Sequence, residues 1–254
     1  MIDMESFETT FYTEKNGGCM DETVIPFLES LVLDENNVHF SHLKEPHIGG
    51  MSSVARTGYS LGSTFGALCG VPYMGAEGIS EEKGYYVGFN CLSELLNAEN
   101  YFTSATFGAT YNDWGFGRIF GSHHFTKINS VYEILQSKGT FWLHDYHTFK
   151  FFKKEITNIH SLGRPFFTFL TTLDTHEPGF VCPRCPTGSK DILRAAKCTD
   201  NQLREFIEWS KTQEWYNNTV FVFYGDHISR DVVLRTYSES HNFDRKVYNV
   251  IINS

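Results

Sequence analysis

Two nearly continuous apolar runs stand out along this chain, and ionisable residues follow each of them. The run Phe166–Leu173 leads into Asp174–Pro178, and the run Val220–Tyr224 leads into Gly225–His227. Continuous β-branched and aromatic runs of this length are typical of strands buried on both faces of a parallel sheet. The pattern therefore predicts two central strands with polar side chains at their carboxyl ends, which is where open α/β sheets bind ligands.

Segments of helical and strand-like pattern alternate along the rest of the chain, and this alternation predicts an α/β fold. We expect a mainly parallel central β-sheet flanked by helices on both faces, in a single domain over residues 1–254. The loops are predicted at Gly108–Phe125 and Gly179–Cys198. The remaining predicted strands are Ile2–Ser6, Val38–Phe40, Tyr101–Phe107 and Arg245–Ile252, with Tyr85–Phe89 as a strand or a helix start; the predicted helices are Val24–Leu31, one within Thr57–Pro72, Cys91–Ala98, Ile128–Lys138, His144–Ile159 and Asn201–Thr212, the last capped by Thr199 or Asp200.

Composition and charge narrow the possible partners. An aromatic content of 16% indicates a packed globular protein. The net charge of −9 argues against a nucleic-acid partner, but a bound cation can still recruit a phosphate substrate. No run of eighteen apolar residues occurs. The opening Met1–Glu5 has the pattern of a strand whose first half is missing, so we expect a piece of a longer protein whose membrane portion lies upstream.

Asp226 and His227 are candidate metal ligands. An oxygen donor and a nitrogen donor side by side at the end of a buried strand suit a divalent ion such as zinc or manganese. Glu5 lies at the carboxyl end of the first predicted strand and offers a further carboxylate. The alternative is structural: Asp226 would cap a turn, and His227 would be an ordinary polar residue.

Ser60 is a candidate nucleophile, because the helix pattern places it near a helix N-terminus, where free backbone N–H groups favour anions. A hydroxyl there can attack a substrate if a metal and the helix dipole support its alkoxide. The alternative, that Ser60 only caps the helix, is the commoner role for serine at such a position.

The predicted loop Gly108–Phe125 carries Trp114, Arg118, His123 and His124. Aromatic, guanidinium and imidazole groups together suit a phosphate or polyol pocket. An ordinary surface loop explains the same residues nearly as well.

Six cysteines permit disulfides or a metal site. Cys182 and Cys185 have CxxC spacing, but no second CxxC follows to complete a zinc ribbon. We predict a disulfide between Cys185 and Cys198, which would fit an oxidising compartment. Six reduced, buried thiols are the alternative.

The motifs together resemble the sulfatase/alkaline-phosphatase superfamily, and within it the branch of lipoteichoic acid synthases and phosphoglycerol transferases. The matching segments occur in the order of that branch. Ala196–Leu203 is similar to the phosphoglycerol transferases that decorate periplasmic glucans. The other matching segments are Met4–Glu8, Pro26–Leu28, Thr57–Ser60, Cys69–Pro72, Trp142–Asp145, Arg164–Phe167, Leu173–Pro178 and Gly225–His227.

The resemblance implies a role for each candidate residue. Glu5, Ser60, Asp226 and His227 fall where such enzymes hold one divalent ion, with manganese expected first and zinc or magnesium as alternatives. Ser60 takes the nucleophile position. His176 falls where a histidine contacts the substrate phosphate or assists the leaving group, and Trp114 falls near a substrate-pocket tryptophan, with Arg118 as a further substrate-binding candidate.

The implied function is transfer of phosphoglycerol from a lipid such as phosphatidylglycerol to a glycan or polymer, through a phospho-serine intermediate. The implied location is the bacterial cell envelope, on the periplasmic or extracellular face of the cytoplasmic membrane.

Three features of the sequence differ from the patterns of related enzymes. Serine replaces the usual threonine nucleophile of the branch, and Phe107 replaces a histidine expected in lipoteichoic acid synthases. Ser60–Thr64 lacks the formylglycine pattern of sulfatases. Phosphoethanolamine transfer, phosphodiester hydrolysis and a silent domain that binds glycans or lipid headgroups are the alternatives.

Overall fold

The computed structural model describes residues 1–44, 47–74, 85–136 and 141–254 of the chain. Its strands are β1 (Ile2–Met4), β2 (Phe102–Phe107), β3 (Lys127–Asn129), β4 (Phe166–Thr171), β5 (Phe221–Gly225) and β6 (Asn249–Ile252). Its α-helices are α1 (Pro26–Val32), α2 (Ser60–Cys69), α3 (Leu92–Ala98), α4 (Phe116–Ser122), α5 (Val131–Leu135), α6 (Asp145–His160), α7 (Asp191–Ser210) and α8 (Val232–Ser240).

The six strands form one sheet in the order β3-β2-β4-β1-β5-β6. Strand β2 pairs in parallel with both β3 and β4, and β1 pairs in parallel with β5. Strand β6 pairs with β5 in the antiparallel direction. The predicted α/β class with a mainly parallel central sheet is therefore confirmed, and the two long apolar runs do form β4 and β5.

The chain divides into two compact units. The first consists of Met1 and residues 54–171, and it contains β2 to β4 and α2 to α6. The second consists of residues 2–53 and 172–254, and it contains β1, β5, β6, α1, α7 and α8. The single domain over 1–254 stays a prediction.

In the first unit, α6 buries Phe149, Phe152, Ile156 and Ile159, as their helical spacing predicted. A disulfide joins Cys69, the last residue of α2, to Cys91, the residue before α3. The predicted Cys185–Cys198 bond is wrong for this structure, in which neither residue is in a disulfide.

In the second unit, Asp200 has a different role from the one predicted. It lies in the middle of α7, and its carboxylate accepts hydrogen bonds from the backbone N–H groups of Phe27 and Leu28 at 3.1 and 2.8 Å. Asp200 therefore caps the N-terminus of α1 across the fold rather than the start of its own helix. The prediction of a helix that begins at Asn201 was wrong because α7 begins ten residues earlier, at Asp191.

Other boundaries also differ from the predictions. Val38 forms only an isolated bridge to Ile251 instead of starting a strand. The predicted loop Gly108–Phe125 contains α4, and Tyr85–Phe89 forms neither a strand nor a helix. The predicted helix Ile128–Lys138 divides into the end of β3 and the short α5, and its predicted stop at Lys138 and Gly139 lies outside the described residues.

A buried ion pair helps to hold the second unit together. The guanidinium of Arg245 donates two hydrogen bonds to the carboxylate of Glu8, at 2.9 and 2.7 Å, and a third to the carbonyl of Ser229 at 2.7 Å. The Glu8 side chain is fully buried. Burial raises the pKa of Glu8, and the hydrogen bonds and charge of Arg245 counteract that rise.

Replacing Arg245 by methionine should therefore lower the free energy of unfolding by about 3–5 kcal/mol at neutral pH, because an uncompensated buried carboxylate remains. Glu8 would bind a proton more tightly in the folded than in the unfolded protein. The loss should thus be largest above the raised folded pKa of Glu8 and should shrink as the pH falls through that pKa toward the unfolded one. Urea denaturation at several pH values measures this. Arg184→Met, which removes an exposed pair with Glu205, is the control and should cost less than about 1 kcal/mol at any pH.

Candidate metal centre and active site

Glu5, Asp226 and His227 form a buried cluster in the second unit, at the carboxyl ends of two neighbouring strands. The parallel register of β1 and β5 pairs Met4 with Gly225. The residues that follow each strand are thereby brought side by side. All three side chains are nearly inaccessible to solvent, and one ligand atom from each lies within 4.8 Å of the other two.

Glycine is required at the turn between β5 and this cluster. A Cβ atom on Gly225 would collide with the backbone carbonyl oxygen of Phe7. That carbonyl also accepts a hydrogen bond from the backbone N–H of Tyr248 at 3.1 Å, so it cannot easily move. The Gly225-Asp226-His227 sequence thus combines a steric requirement with two candidate ligands.

Backbone hydrogen bonds fix the orientation of the Asp226 carboxylate. Its Oδ1 atom accepts from the backbone N–H groups of Ser6 and His227, each at 2.7 Å. Its Oδ2 atom lies 3.4 Å from Nε2 of His227. One oxygen is therefore used for positioning, and the other points toward the cluster.

The His227 ring is oriented in the same way. Nδ1 lies 3.0 Å from the carbonyl oxygen of Ile228, so it carries the hydrogen, and Nε2 is directed at Oε1 of Glu5, 3.4 Å away. Burial lowers the pKa of His227, but the negative charges of Asp226 and Glu5 outweigh that effect and raise it overall. The cluster therefore has an excess of negative charge, which favours a cation.

The donor set fits a divalent ion. Two ligands about 2.1 Å from a tetrahedral metal lie roughly 3.4 Å apart. Both distances from His227 Nε2, to Glu5 Oε1 and to Asp226 Oδ2, are 3.4 Å. Two carboxylates and one imidazole suit zinc or manganese, and the oxygen donors also suit magnesium.

Three hydroxyl residues that sequence reasoning missed hold Glu5 in place. Ser6 Oγ donates to Glu5 Oε1 at 2.7 Å, Thr172 Oγ1 accepts from the Glu5 backbone N–H at 3.1 Å, and Thr175 Oγ1 donates to the Glu5 carbonyl oxygen. Thr172 and Thr175 come from the segment that follows β4. Only the position of these two threonines at the end of an apolar run could have indicated that they hold Glu5 in place.

His176 follows Thr175 directly and is therefore anchored beside Glu5 through the chain. Its ring is partly exposed, and Nδ1 lies 3.1 Å from the carbonyl oxygen of Glu177. The Glu177 carboxylate in turn binds Arg230 at 2.9 Å. Contact of the His176 imidazole with a substrate stays a prediction.

Three predicted site residues, Ser60, Trp114 and Arg118, belong to the first unit. Ser60 is the first residue of α2, and the cap position belongs to Tyr59, so the alternative role of Ser60 as a cap is not the one observed. Trp114 is 38% exposed and packs edge-on against Trp142. Arg118 on α4 donates to Asn112 Oδ1 at 3.3 Å. That these residues act in one site with the cluster of the second unit stays a prediction.

Two further residues that the sequence analysis named, His123 and Phe107, are buried in the first unit. His123 is fully buried, and its Nδ1 lies 3.0 Å from a carboxylate oxygen of Glu94. Phe107 is buried at the end of β2, where it packs against Phe116 and Phe120.

Comparison with known proteins identifies the family. The sulfatase family model matches residues 52–244, and the chain belongs to that family, whose members are enzymes that use a divalent metal. The chain is 25% identical over 244 residues to phosphoglycerol transferase I of Xanthomonas axonopodis pv. citri, a match that covers 89% of this chain and 33% of that protein. It is 24% identical over 251 residues to the lipoteichoic acid synthase of Staphylococcus saprophyticus, covering 95% and 36% respectively.

The fold agrees with a solved structure. A protein of the alkaline phosphatase superfamily from Vibrio parahaemolyticus superimposes with a TM-score of 0.76 at 19% identity, over 99% of this chain and 58% of that one. The chain spans about a third of the length of the curated relatives it matches. Among the described residues, no helix has the length and apolar character needed to cross a membrane.

Asp226→Asn should weaken the binding of manganese to the chain by at least about 100-fold, more than is typical when only a supporting residue is lost. Asparagine can keep an oxygen toward the two backbone N–H groups and replaces the second oxygen with a donor that cannot bind a metal. Glu5→Gln should have the same effect. Calorimetric titration with Mn²⁺ measures both.

The control for these two variants is Glu22→Gln, because Glu22 is an exposed carboxylate of the same unit. It should bind manganese as the unmodified chain does. Equal affinity in all four proteins would show that the cluster does not hold the ion.

Proposed function

We propose that this chain carries the catalytic site of a metal-dependent phosphoglycerol transferase of the cell envelope. The observation that carries the proposal is the cluster of Glu5, Asp226 and His227, whose spacing suits a divalent ion in a family of metal-using enzymes. The relatives named phosphoglycerol transferase I and lipoteichoic acid synthase support the reaction class. The donor would be a phosphatidylglycerol-like lipid, and the acceptor a hydroxyl of a glycan or polymer.

The proposed ligands are Glu5, Asp226 and His227, with Ser60 as the fourth. Manganese is the ion we expect first, and zinc or magnesium would suit the same donors. A divalent ion bound there would neutralise phosphoryl oxygens and lower the pKa of a bound hydroxyl. The hydrogen bond from Ser6 to the Glu5 carboxylate, and those of Thr172 and Thr175 with the Glu5 backbone, would keep Glu5 preorganised, so little reorganisation is needed when substrate binds.

In the first proposed step, the Ser60 hydroxyl has lost its proton to solvent, and Oγ attacks the phosphorus of the lipid as the alkoxide. A bond forms between Oγ and phosphorus, and the bond between phosphorus and the diacylglycerol oxygen breaks. His176 donates a proton to the departing oxygen, so that neutral diacylglycerol leaves and phosphoglycerol stays on the serine. The N-terminus of α2 would stabilise the negative charge on the phosphoryl oxygens.

In the second step, the acceptor hydroxyl gives its proton to His176 and attacks the same phosphorus. The bond to Ser60 Oγ breaks, and the serine is restored. Trp114 and Arg118 are proposed to contact the substrate, the first through its exposed ring and the second through its charge. The outcome with water in place of the glycan would be phosphodiester hydrolysis, which is the competing activity.

Ser60→Ala should reduce turnover of a labelled phosphatidylglycerol by about 10³-fold or more, because no other group replaces the nucleophile. Ser60→Thr should retain part of the activity, since it keeps a hydroxyl. The control is Ser63→Ala, which removes a similarly buried hydroxyl from the same helix and should leave turnover nearly unchanged. Full activity in Ser60→Ala would refute the assignment.

The covalent intermediate has its own signature. Mixing the chain with donor lipid and no acceptor should add the mass of one phosphoglyceryl group to the intact protein, and Ser60→Ala should not acquire it. Addition of glycan should then move the label from protein to glycan. Release of free glycerol phosphate at the same rate with and without glycan would indicate a hydrolase instead.

A further inference from the structure

Three thiols meet in the second unit at a place that the proposed reaction does not use. Cys182 and Cys185 lie in the loop that follows His176, and Cys198 lies on α7. The Sγ atom of Cys182 is 3.5 Å from that of Cys185 and 3.7 Å from that of Cys198, and all three sulfurs are within 4.8 Å of one another. Cys182 and Cys198 are buried, Cys185 is half-buried, and none of the three is in a disulfide.

The sulfur spacing fits ligands that share one tetrahedral ion. Zinc binds thiolate sulfur at about 2.3 Å, and two such ligands then lie roughly 3.8 Å apart. Neutral thiols in van der Waals contact have a similar spacing, so the distances alone do not decide between the two states. The groups around the sulfurs favour the zinc-bound state.

The backbone around Cys182 forms a tight turn of the kind that CxxC metal ligands use. The Cys185 backbone N–H donates to the Cys182 carbonyl oxygen at 3.0 Å, which closes the turn, and the Cys182 backbone N–H lies 3.1 Å from Cys185 Sγ. A backbone N–H directed at sulfur stabilises the thiolate, and the thiolate is the form that binds metals.

Gln202 provides an independent indication. It lies one helical turn after Cys198 on α7 and is 3% exposed. Its Nε2 atom is 3.4 Å from Cys198 Sγ, whereas its buried Oε1 atom has no hydrogen-bond partner among the described residues. A half-turn of the amide would exchange the two atoms and direct the oxygen at the sulfurs. An oxygen and a sulfur bound to one tetrahedral zinc ion lie about 3.6 Å apart, close to the observed spacing.

We propose that Cys182, Cys185 and Cys198, with Oε1 of Gln202, form a zinc site that ties the loop after His176 to α7. Zinc would bind as three S–H protons pass to solvent and three Zn–S bonds form. The ion would compensate the charge of the clustered thiolates and satisfy the buried amide oxygen. The sulfur-rich donor set selects zinc over manganese, and it is thus chemically distinct from the cluster of Glu5, Asp226 and His227.

Cobalt substitution tests the proposal in the full 254-residue chain. Co²⁺ should give an intense ultraviolet band from sulfur-to-cobalt charge transfer, and about one equivalent of Zn²⁺ should abolish it. Cys185→Ser should lose the band and bind Zn²⁺ at least about 100-fold more weakly, with an unchanged circular dichroism spectrum. Cys19→Ser removes another buried free thiol of the same unit and should keep the band. Glu5→Gln should also keep it, which separates this site from the proposed catalytic ion.

Thiol counting in denaturant distinguishes the site from a disulfide. Four thiols should react once the zinc is chelated, because Cys19, Cys182, Cys185 and Cys198 are not in a disulfide in the structure. Two reactive thiols would mean that a disulfide forms within the cluster and would overturn the proposal. Absence of the charge-transfer band in the reduced chain would overturn it as well.

Discussion

The candidate site depends on the parallel pairing of β1 with β5. These strands come from opposite ends of the chain, yet their register sets Met4 beside Gly225. In parallel strands the carboxyl ends coincide, so Glu5 and the Asp226-His227 pair necessarily emerge at one edge of the sheet. The close approach of Gly225 to the carbonyl of Phe7 makes this junction intolerant of a side chain.

The second constraint is electrostatic. Glu5, Glu8 and Asp226 are all buried in the same unit, and burial of several carboxylates is costly unless each finds compensation. Arg245 compensates the charge of Glu8, whereas Asp226 and Glu5 are held by backbone and hydroxyl donors and by His227. Positioning of this kind does not neutralise two carboxylates. A divalent cation would do so, and this requirement gives the proposed metal a physical basis beyond family membership.

The cysteines show a similar division of roles. Cys69 and Cys91 form a covalent link between α2 and α3 in the first unit, whereas the three clustered thiols of the second unit lie where a loop meets α7. That loop begins just after His176. Anything that fixes the loop, a zinc ion above all, would also limit the motion of the imidazole proposed to act on the leaving group.

Local pattern predicted the elements best where burial was strongest. The runs in β4 and β5 and the spacing in α6 were read correctly because apolar periodicity reflects burial directly. It failed for the first turns of α7, because the Pro, Gly and Cys content of Gly179–Cys198 favoured a loop there. It also failed for α8, which was not predicted at all. Asp200 looked like a local cap, but its partners are Phe27 and Leu28, more than 170 residues away. Such long-range pairing leaves no local trace.

By itself, the sequence determined the α/β class, the family resemblance, and the identity of Glu5, Asp226 and His227 as candidate ligands, because strand ends and short motifs are local features. Only the tertiary structure decided which groups meet. It brought together the three ligand atoms and placed Ser6, Thr172 and Thr175 around Glu5. It also paired Cys69 with Cys91 and left Cys185 and Cys198 without a disulfide. The physical reason is that hydrogen-bond partners and sulfur contacts are set by strand register and helix packing, which join residues distant along the chain.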